Sequence, residues 1–355
     1  MIEKNVLFIS PTISDIYKDI ITQLNKWGMH VDFIEDYGDH NDPDFIRVTR
    51  SKFTDNKYGR SQYNKRNLRK WQELLSKSPY DKRYDYLLVI DGMSIHTFLF
   101  EELRKRNPNL WATNYLFDSC TSLYRFERKF KYFNRVASFD KADCKRFNLS
   151  FLPIYWVLPD KNLKKKYDIF AFGGFGRERF NVFKYIDEVS NQLGLRSYIK
   201  LYTPTARNYK SFAIKSKLKH LFGYNKRSIT TSEYNSNLIT HQGIPASEFQ
   251  KIIFQSDCIV DTLNYEQDGM TARFMWALGA KKKIITNNVH FKGYDCYDPN
   301  QVYILEKGSF DNHLADLEKF IRRKYECDEA KFRSILPWRI DNWLMYLLNI
   351  QHLLR

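Results

Sequence analysis

The strongest constraint on the fold is the alternation of short apolar runs with segments whose apolar residues recur at helical spacing. Residues 6–10 predict a buried strand, residues 16–27 carry apolar side chains on one helical face, and residues 31–34 predict a second strand. Gly28 suits the position just after the helix. A strand, a helix and a strand in this order are typical of a parallel sheet with helices on both faces.

The same alternation continues along the first half and restarts in the second. Residues 158–166 are polar and lysine-rich, which predicts a linker between two halves. We therefore predict an α/β fold with two Rossmann-like domains at residues 1–157 and 167–330, joined by that linker, and a C-terminal helix at residues 331–355. In such folds, the crevice between the two halves is the expected ligand site.

The composition fits a globular chain that binds anions. Hydrophobic residues make up 43% of the sequence, which excludes a disordered chain, and the net charge is +16. The charge indicates nucleic acid, an anionic membrane face or phosphorylated small molecules as partners. Nucleic acid is disfavoured, because the basic residues are scattered along the chain and no nucleic-acid-binding motif is present. An AT-rich genome would also raise the lysine content without any binding role.

We expect a cytoplasmic protein whose membrane contact, if any, is peripheral, on the inner face of the cytoplasmic membrane. The five cysteines lack CxxC or metal-ligand spacing, which indicates free thiols in a reducing compartment. No apolar run approaches the ~18 residues that span a bilayer. Residues 215–227, from Lys215 to Arg227, combine basic and apolar side chains and suit contact with anionic lipid. A solvated basic loop is the alternative.

A glycine-rich turn follows the first predicted strand of the second half. Gly173 and Gly174 stand between that strand and a predicted helix, and Arg177 and Arg179 follow them. Free backbone N–H groups at the start of a helix bind phosphate, and the arginines could add charge-assisted hydrogen bonds. An ordinary turn between a strand and a helix is the alternative.

A second candidate for phosphate binding lies between residues 261 and 288. A predicted strand ends at Asp261, and a predicted helix begins near Thr271. The residues that would face a phosphate at this helix start are Gln267, Gly269, Met270, Thr271 and Arg273. The basic run at residues 281–283 follows, and we expect at least two of its lysines in a solvated turn.

This second segment resembles the donor-binding region of GT-B glycosyltransferases. It is most similar to bacterial glycosyltransferases of capsule or lipopolysaccharide biosynthesis, whose pattern G-x-T-x-R-x-x-E-A-L-x-x-x-K-K-L-I-T-x-N precedes Y-D-F-Y-x-P-x-N. The residues that match position by position are Gly269, Thr271, Arg273, Ala277, Leu278, Lys282, Lys283, Ile285 and Thr286, and then Tyr294, Asp295, Tyr297 and Pro299. Asn287 and Asn300 each lie one position before the asparagine of the pattern. The first half resembles that family too, at Tyr84 to Tyr86, Asn114 to Ser119, Phe139 to Asp143 and Leu152-Pro153.

The resemblance implies a transferase that takes a nucleotide-sugar as donor and a lipid-linked or growing cell-surface glycan as acceptor, and that needs no metal or other cofactor. One position departs from the pattern. The family glutamate that commonly holds donor hydroxyls is replaced here by Phe274 or Trp276, depending on the alignment. No cluster of His, Cys and Asp has metal-ligand spacing, so we predict no metal.

The residue that would activate the acceptor is a carboxylate at the end of a first-half strand. An inverting transferase needs a base within reach of the acceptor hydroxyl. Asp118 is the first candidate and Asp91 the second, and either could instead cap a helix or shape a turn. A retaining enzyme would need no such base, and both outcomes stay open. His96 and His241 are more typical of structural histidines.

Three other functions fit parts of the sequence. A nucleotide-sugar epimerase would use the same scaffold without an acceptor. A degenerate domain would bind the donor and act as a scaffold subunit, in keeping with the replaced glutamate. A nucleic-acid binder would show steep salt dependence.

Overall fold

The protein is described from a computed structural model, which covers residues 3–12, 15–36, 57–92, 95–120, 126–160, 162–204, 229–263, 269–306 and 314–350. Its contacts divide the chain into two units, residues 1–154 with 340–355, and residues 155–339. This division places the last helix with the first unit and the linker region with the second.

The first unit contains a parallel six-stranded sheet. The strands are β1 (Asn5–Ser10), β2 (His30–Glu35), β3 (Tyr86–Ile90), β4 (Trp111–Leu116), β5 (Arg135–Ser138) and β6 (Ser150–Phe151). The helices are α1 (Ile16–Lys26), α2 (Lys57–Leu75), α3 (Thr97–Arg106) and α4 (Lys141–Phe147), with a 3-10 helix at Phe126–Tyr132. The strand order is β2-β1-β3-β4-β5-β6, and every pairing is parallel. All five residues of β3 are buried, as its apolar sequence predicts.

The second unit contains another parallel six-stranded sheet. The strands are β7 (Tyr167–Gly174), β8 (Ser197–Tyr202), β9 (Ile239–Thr240), β10 (Ser256–Asp261), β11 (Lys283–Thr286) and β12 (Val302–Ile304). The helices are α5 (Arg177–Gln192), α6 (Thr231–Tyr234), α7 (Ala246–Phe254), α8 (Ala272–Gly279), α9 (Leu314–Arg322) and α10 (Glu329–Ser334). The order β12-β11-β10-β7-β8-β9 is that of a Rossmann fold.

The C-terminal segment differs from the single helix predicted for residues 331–355. After α10 come a 3-10 helix at Leu336–Trp338 and then α11 (Ile340–Leu348). Pro337 explains the break, because proline has no N–H to donate to an α-helical hydrogen bond. The final helix belongs to the first unit, where Trp343 Nε1 donates to the carbonyl oxygen of Pro153 at 3.0 Å.

Within the described ranges, no helix has the length and apolar character that crossing a membrane requires. The basic segment at residues 215–227 lies outside those ranges.

Candidate functional site

In the second unit, the candidate site lies where the strand order of the sheet reverses. β7 lies between β8 and β10, so the chain first extends the sheet on one side of β7 and later on the other. Ligands of open parallel sheets bind beyond the carboxyl ends of the strands at such a point. β7 ends at Gly174 and β10 ends at Asp261, so these residues mark the position.

Arg179 spans the carboxyl ends of these two strands. It donates from Nη1 to the carbonyl oxygen of Gly174 at 2.6 Å. On the side of β10 it donates from Nε to Thr262 Oγ1 at 2.6 Å and from Nη2 to the Thr262 carbonyl oxygen at 3.2 Å. A Cβ at Gly173 would lie 3.2 Å from Cδ of Arg179, so glycine at this position leaves room for the arginine.

Arg273 approaches the same edge of the sheet from helix α8. Its Nη1 donates to the carbonyl oxygen of Val260 at 3.4 Å, and its Nε lies 3.6 Å from Asp261 Oδ1. Thr271 Oγ1 donates to the same Asp261 oxygen at 2.7 Å. Asp261 is only 1% exposed, so its charge faces these partners rather than water.

Two guanidinium groups therefore act on one buried carboxylate. Burial and the nearby charge of Arg273 lower the pKa of Arg179 to about 10, while Asp261 opposes the change. Burial also lowers the pKa of Arg273. A lowered pKa means that the surroundings disfavour the charged form, and an anion at this edge would relieve that cost.

Two helix N-termini adjoin this edge. Helix α5 begins after Gly176, and α8 begins after Thr271, whose side chain accepts from the N–H of Phe274 at 3.1 Å. The partial positive charge of a helix N-terminus favours an anion. Gly269 and Met270, which precede α8, are buried, and Gln267 lies outside the described residues.

Arg177 has a different partner from the other two arginines. Its Nη1 donates to Glu233 Oε1 at 2.7 Å and its Nη2 to Glu233 Oε2 at 3.3 Å. Glu233 also accepts from the N–H of Thr230 at the start of α6, in a capping box. The structure therefore ties Arg177 to α6, while Arg179 and Arg273 meet at β10.

In the first unit, the two predicted carboxylates come together beyond the ends of β3 and β4. Asp91 Oδ1 accepts from the N–H of Phe117 at 2.8 Å and from the N–H of Asp118 at 3.3 Å. Asp91 is 3% exposed, whereas Asp118 is open to solvent. Burial and the charge of Asp118 raise the pKa of Asp91 to about 8. Partial burial by the surrounding protein also raises the pKa of Asp118.

Lys129 joins this group, and nothing in the sequence singles it out. Its Nζ donates to the carbonyl oxygen of Gly92 at 3.3 Å. Burial lowers its pKa to about 8, and the charge of Asp36 opposes the change. Lys129 stands in a run of alternating basic and aromatic residues, so its composition does not distinguish it from its neighbours.

The histidines have structural contacts, as expected. His96 Nδ1 accepts from the N–H of Phe98 and caps α3. His241 Nδ1 lies 2.9 Å from the carbonyl oxygen of Thr203, and its ring lies against Tyr234. Across the described residues, no group of three or more His, Cys, Asp or Glu side chains could hold a metal ion.

Phe274 and Trp276, the two candidates for the position of the glutamate in the sequence pattern, are both buried. Phe274 packs edge-on against Phe291, and Trp276 is 3% exposed and packs against Phe249. Within the part of the chain that the structure describes, the indole N–H of Trp276 has no hydrogen-bond partner. Neither residue offers a carboxylate to a donor.

Comparison with known proteins shows the fold. No protein-family model matches the chain, and no curated protein matches it. Among solved structures, a UDP-forming α,α-trehalose-phosphate synthase from Burkholderia vietnamiensis matches 98% of this chain and 100% of its own, at 12% identity and a TM-score of 0.57. An α,α-trehalose 6-phosphate synthase from Burkholderia multivorans matches 100% of both chains, at 12% identity and a TM-score of 0.56.

A sucrose-phosphate synthase from Thermosynechococcus elongatus matches 99% of this chain and 98% of its own, at 12% identity and a TM-score of 0.52. The prediction of an α/β fold of GT-B type with two Rossmann-like units is confirmed.

Proposed function

We propose that the chain is a glycosyltransferase that moves a sugar from a nucleotide-sugar donor to a lipid-linked or growing cell-surface glycan. The observation that carries this proposal is that Arg179, bonded to Thr262, and Arg273, beside Asp261, lie together at the end of β10, where the sheet order reverses. Paired guanidiniums suit the two phosphates of a nucleoside diphosphate. The likeness in fold to UDP-forming synthases makes UDP the first nucleotide to test.

In the proposed reaction, Asp118 acts as the general base of an inverting transfer. Its carboxylate takes the proton of the acceptor hydroxyl, whose oxygen forms a bond to the anomeric carbon. The bond from that carbon to the β-phosphate oxygen breaks, and the nucleoside diphosphate leaves with the electron pair. Arg179, Arg273 and the N-termini of α5 and α8 stabilise the charge on the departing diphosphate. We assign no metal or organic cofactor to this step.

The proposed acceptor follows from the resemblance to capsule and lipopolysaccharide enzymes and from the net charge of +16. We place the reaction on the cytoplasmic side of the membrane, with residues 215–227 as the contact with anionic lipid. Vesicles with and without anionic lipid test this contact directly.

A transfer assay tests the function. The full chain is incubated with labelled UDP-, GDP-, CMP- and dTDP-sugars and a lipid-linked glycan fraction from bacterial envelopes, and label in the lipid phase is measured. We expect transfer from one donor, lowered by on the order of 100-fold or more in Asp118→Asn, since a general base contributes that much. Asp81→Asn, at an exposed position of the same unit, is the matched control and should transfer normally.

The other outcomes of this assay exclude the proposal. An altered donor sugar without any acceptor would indicate an epimerase. Binding of a nucleotide-sugar without turnover over the whole panel would indicate a scaffold subunit. Anomer analysis of the product by NMR separates an inverting from a retaining reaction.

A further inference from the structure

Asp91 has a backbone conformation that side chains rarely adopt. Its φ angle is 55°, and Gly92 follows at 84°. The left-handed region disfavours most L-residues, and aspartate and asparagine are among the few that tolerate it. A residue kept in this conformation at a strand end calls for a compensating set of contacts.

Those contacts tie Asp91 to the end of β4. The N–H of Asp91 donates to the carbonyl oxygen of Tyr115 at 2.9 Å, and Asn114 Nδ2 donates to the carbonyl oxygen of Asp91 at 3.2 Å. The carboxylate accepts from the N–H groups of Phe117 and Asp118, as described above. Four hydrogen bonds therefore join this one residue to the segment that carries Asp118.

Exposure separates the roles of the two carboxylates. A general base must reach the acceptor hydroxyl, and Asp118 is open to solvent. Asp91 is 3% exposed, so an acceptor cannot approach it. Its Oδ1 accepts from the backbone N–H groups of Phe117 and Asp118 instead.

We propose that Asp91 is a positioning residue, which holds the backbone of Phe117 and Asp118 and thereby aims the Asp118 carboxylate. This role rests on the proposed function, in which Asp118 is the base. Among the groups that act on Asp91, the carboxylates of Asp118 and Asp36 favour its protonated form, as burial does, whereas the two N–H groups favour its ionised form. Tyr115 lies within electrostatic reach, and Lys129 contacts the adjacent Gly92.

A protonated Asp91 would hold its contacts through a neutral oxygen, which an asparagine can replace. We therefore compare Asp91→Asn, which keeps the accepting oxygen, with Asp91→Gly, which removes it. Both asparagine and glycine tolerate a positive φ, so neither adds backbone strain. Asp328→Gly is the matched control, because Asp328 also accepts from two N–H groups, those of Ala330 and Lys331, in the second unit.

The first readout is hydrogen exchange of the peptide covering residues 114–120 in the full chain, which requires no substrate. We expect Asp91→Gly to speed the exchange of the Phe117 and Asp118 amides by about tenfold or more, as loss of a buried hydrogen bond allows. Asp91→Asn and Asp328→Gly should leave it within about threefold. Unchanged exchange in Asp91→Gly would overturn the proposal, whatever the enzyme's activity.

The second readout is kcat and KM with the donor identified in the transfer assay. Asp91→Gly should lower kcat with little change in KM, and Asp91→Asn should restore kcat to within about threefold of the natural chain. If Asp91→Asn instead loses turnover as fully as Asp118→Asn while its exchange is unchanged, Asp91 itself transfers the proton and the positioning role is wrong. A chain without any transfer activity contradicts the proposed function, and the exchange data still decide whether Asp91 holds the segment.

Discussion

Asp261 is the buried carboxylate that compensates the charges of the two arginines at the candidate site of the second unit. It accepts a hydrogen bond from Thr271 and faces Arg273, and its charge also acts on Arg179. Removing a buried charge while its partners remain costs more than the pair itself contributes, since the partners are left uncompensated. Stability and anion affinity should therefore respond in opposite directions at this residue.

We predict that Asp261→Asn lowers the free energy of unfolding by about 3–5 kcal/mol and at the same time tightens the binding of pyrophosphate. Urea denaturation measures the first effect and calorimetric titration the second. Asp257→Asn is the control, because Asp257 is a half-exposed partner of Lys165 and such pairs contribute about 1 kcal/mol or less. Equal stability of Asp261→Asn and the natural chain would contradict this description of the site.

The raised pKa of Asp91 makes the free energy of unfolding depend on pH. Its pKa in the folded chain is about 8, raised from the ordinary value near 3.8. Between these values the folded chain binds a proton that the unfolded chain lacks, so stability falls as pH rises from about 4 to 8. Lys129 has a pKa of about 8 in the folded chain, lowered from 10.5, so its titration affects the free energy of unfolding only above about pH 8.

Asparagine at position 91 cannot titrate. From pH 5 to 7, we predict that the stability of the natural chain relative to Asp91→Asn falls by up to about 1.4 kcal/mol per pH unit. Urea unfolding of the natural chain and of Asp91→Asn at pH 5, 6 and 7 measures this difference in stability. A difference that stays constant with pH would show that Asp91 is ionised in the folded state.

The sequence indicated several of these residues but not their partners. Arg179, Arg273 and Thr271 follow strand ends in recognisable patterns, and so do Asp91 and Asp118. The pairing of Arg177 with Glu233 joins residues far apart in the chain, and no local pattern predicts it. Lys283 is similar, because it stands in a lysine run yet is buried, with its Nζ donating to three carbonyl oxygens around the end of α9.

At the scale of elements, the packing of α8 depends on Gly279. A Cβ at this position would lie 2.4 Å from Cδ2 of Trp156, which is inside the van der Waals limit. Trp156 is fully buried, and its indole N–H donates to the carbonyl oxygen of Ile335 at 2.9 Å, so the ring has little freedom to move. Close contact between helix and ring therefore requires glycine here.

We predict that Gly279→Ala lowers the free energy of unfolding by about 1–3 kcal/mol, the usual cost of overpacking, although alanine is the better helix former. Gly293→Ala is the control, since a Cβ there meets no atom within 4 Å. Thermal unfolding of the two variants compares them. A gain in stability in Gly279→Ala would show that Trp156 can move aside.

Long apolar and amphipathic segments were the most predictable elements. β1 and α1 lie close to the bounds predicted at residues 6–10 and 16–27, because burial in the strand and helical spacing in the helix hold along their whole lengths. β6 is limited to Ser150–Phe151, because Pro153, two residues later, cannot donate to a neighbouring strand. Short edge elements such as β9, with two residues, carry too little pattern to predict.

At the scale of the whole molecule, the path of the chain is more complex than two successive halves. The last helix returns to the first unit, where Trp111 Nε1 donates to the carbonyl oxygen of Leu347 at 2.9 Å and Trp343 packs edge-on against Tyr115. Periodicity predicted a helix near the C-terminus but contains no information about the unit on which it packs. Each unit nevertheless presents its candidate residues beyond the carboxyl ends of its strands, as parallel sheets generally do.

The central claim is that Arg179 and Arg273 bind the diphosphate of a nucleotide-sugar. Calorimetric titration of UDP, GDP, CMP and dTDP into the natural chain and into Arg177→Met, Arg179→Met and Arg273→Met tests it most directly. We predict that one of the three nucleoside diphosphates binds, that Arg179→Met and Arg273→Met each weaken its binding by roughly 10- to 100-fold through loss of charge-assisted hydrogen bonds, and that Arg177→Met changes it by less than about threefold. No binding to the natural chain, or equal weakening by all three variants, would contradict the claim.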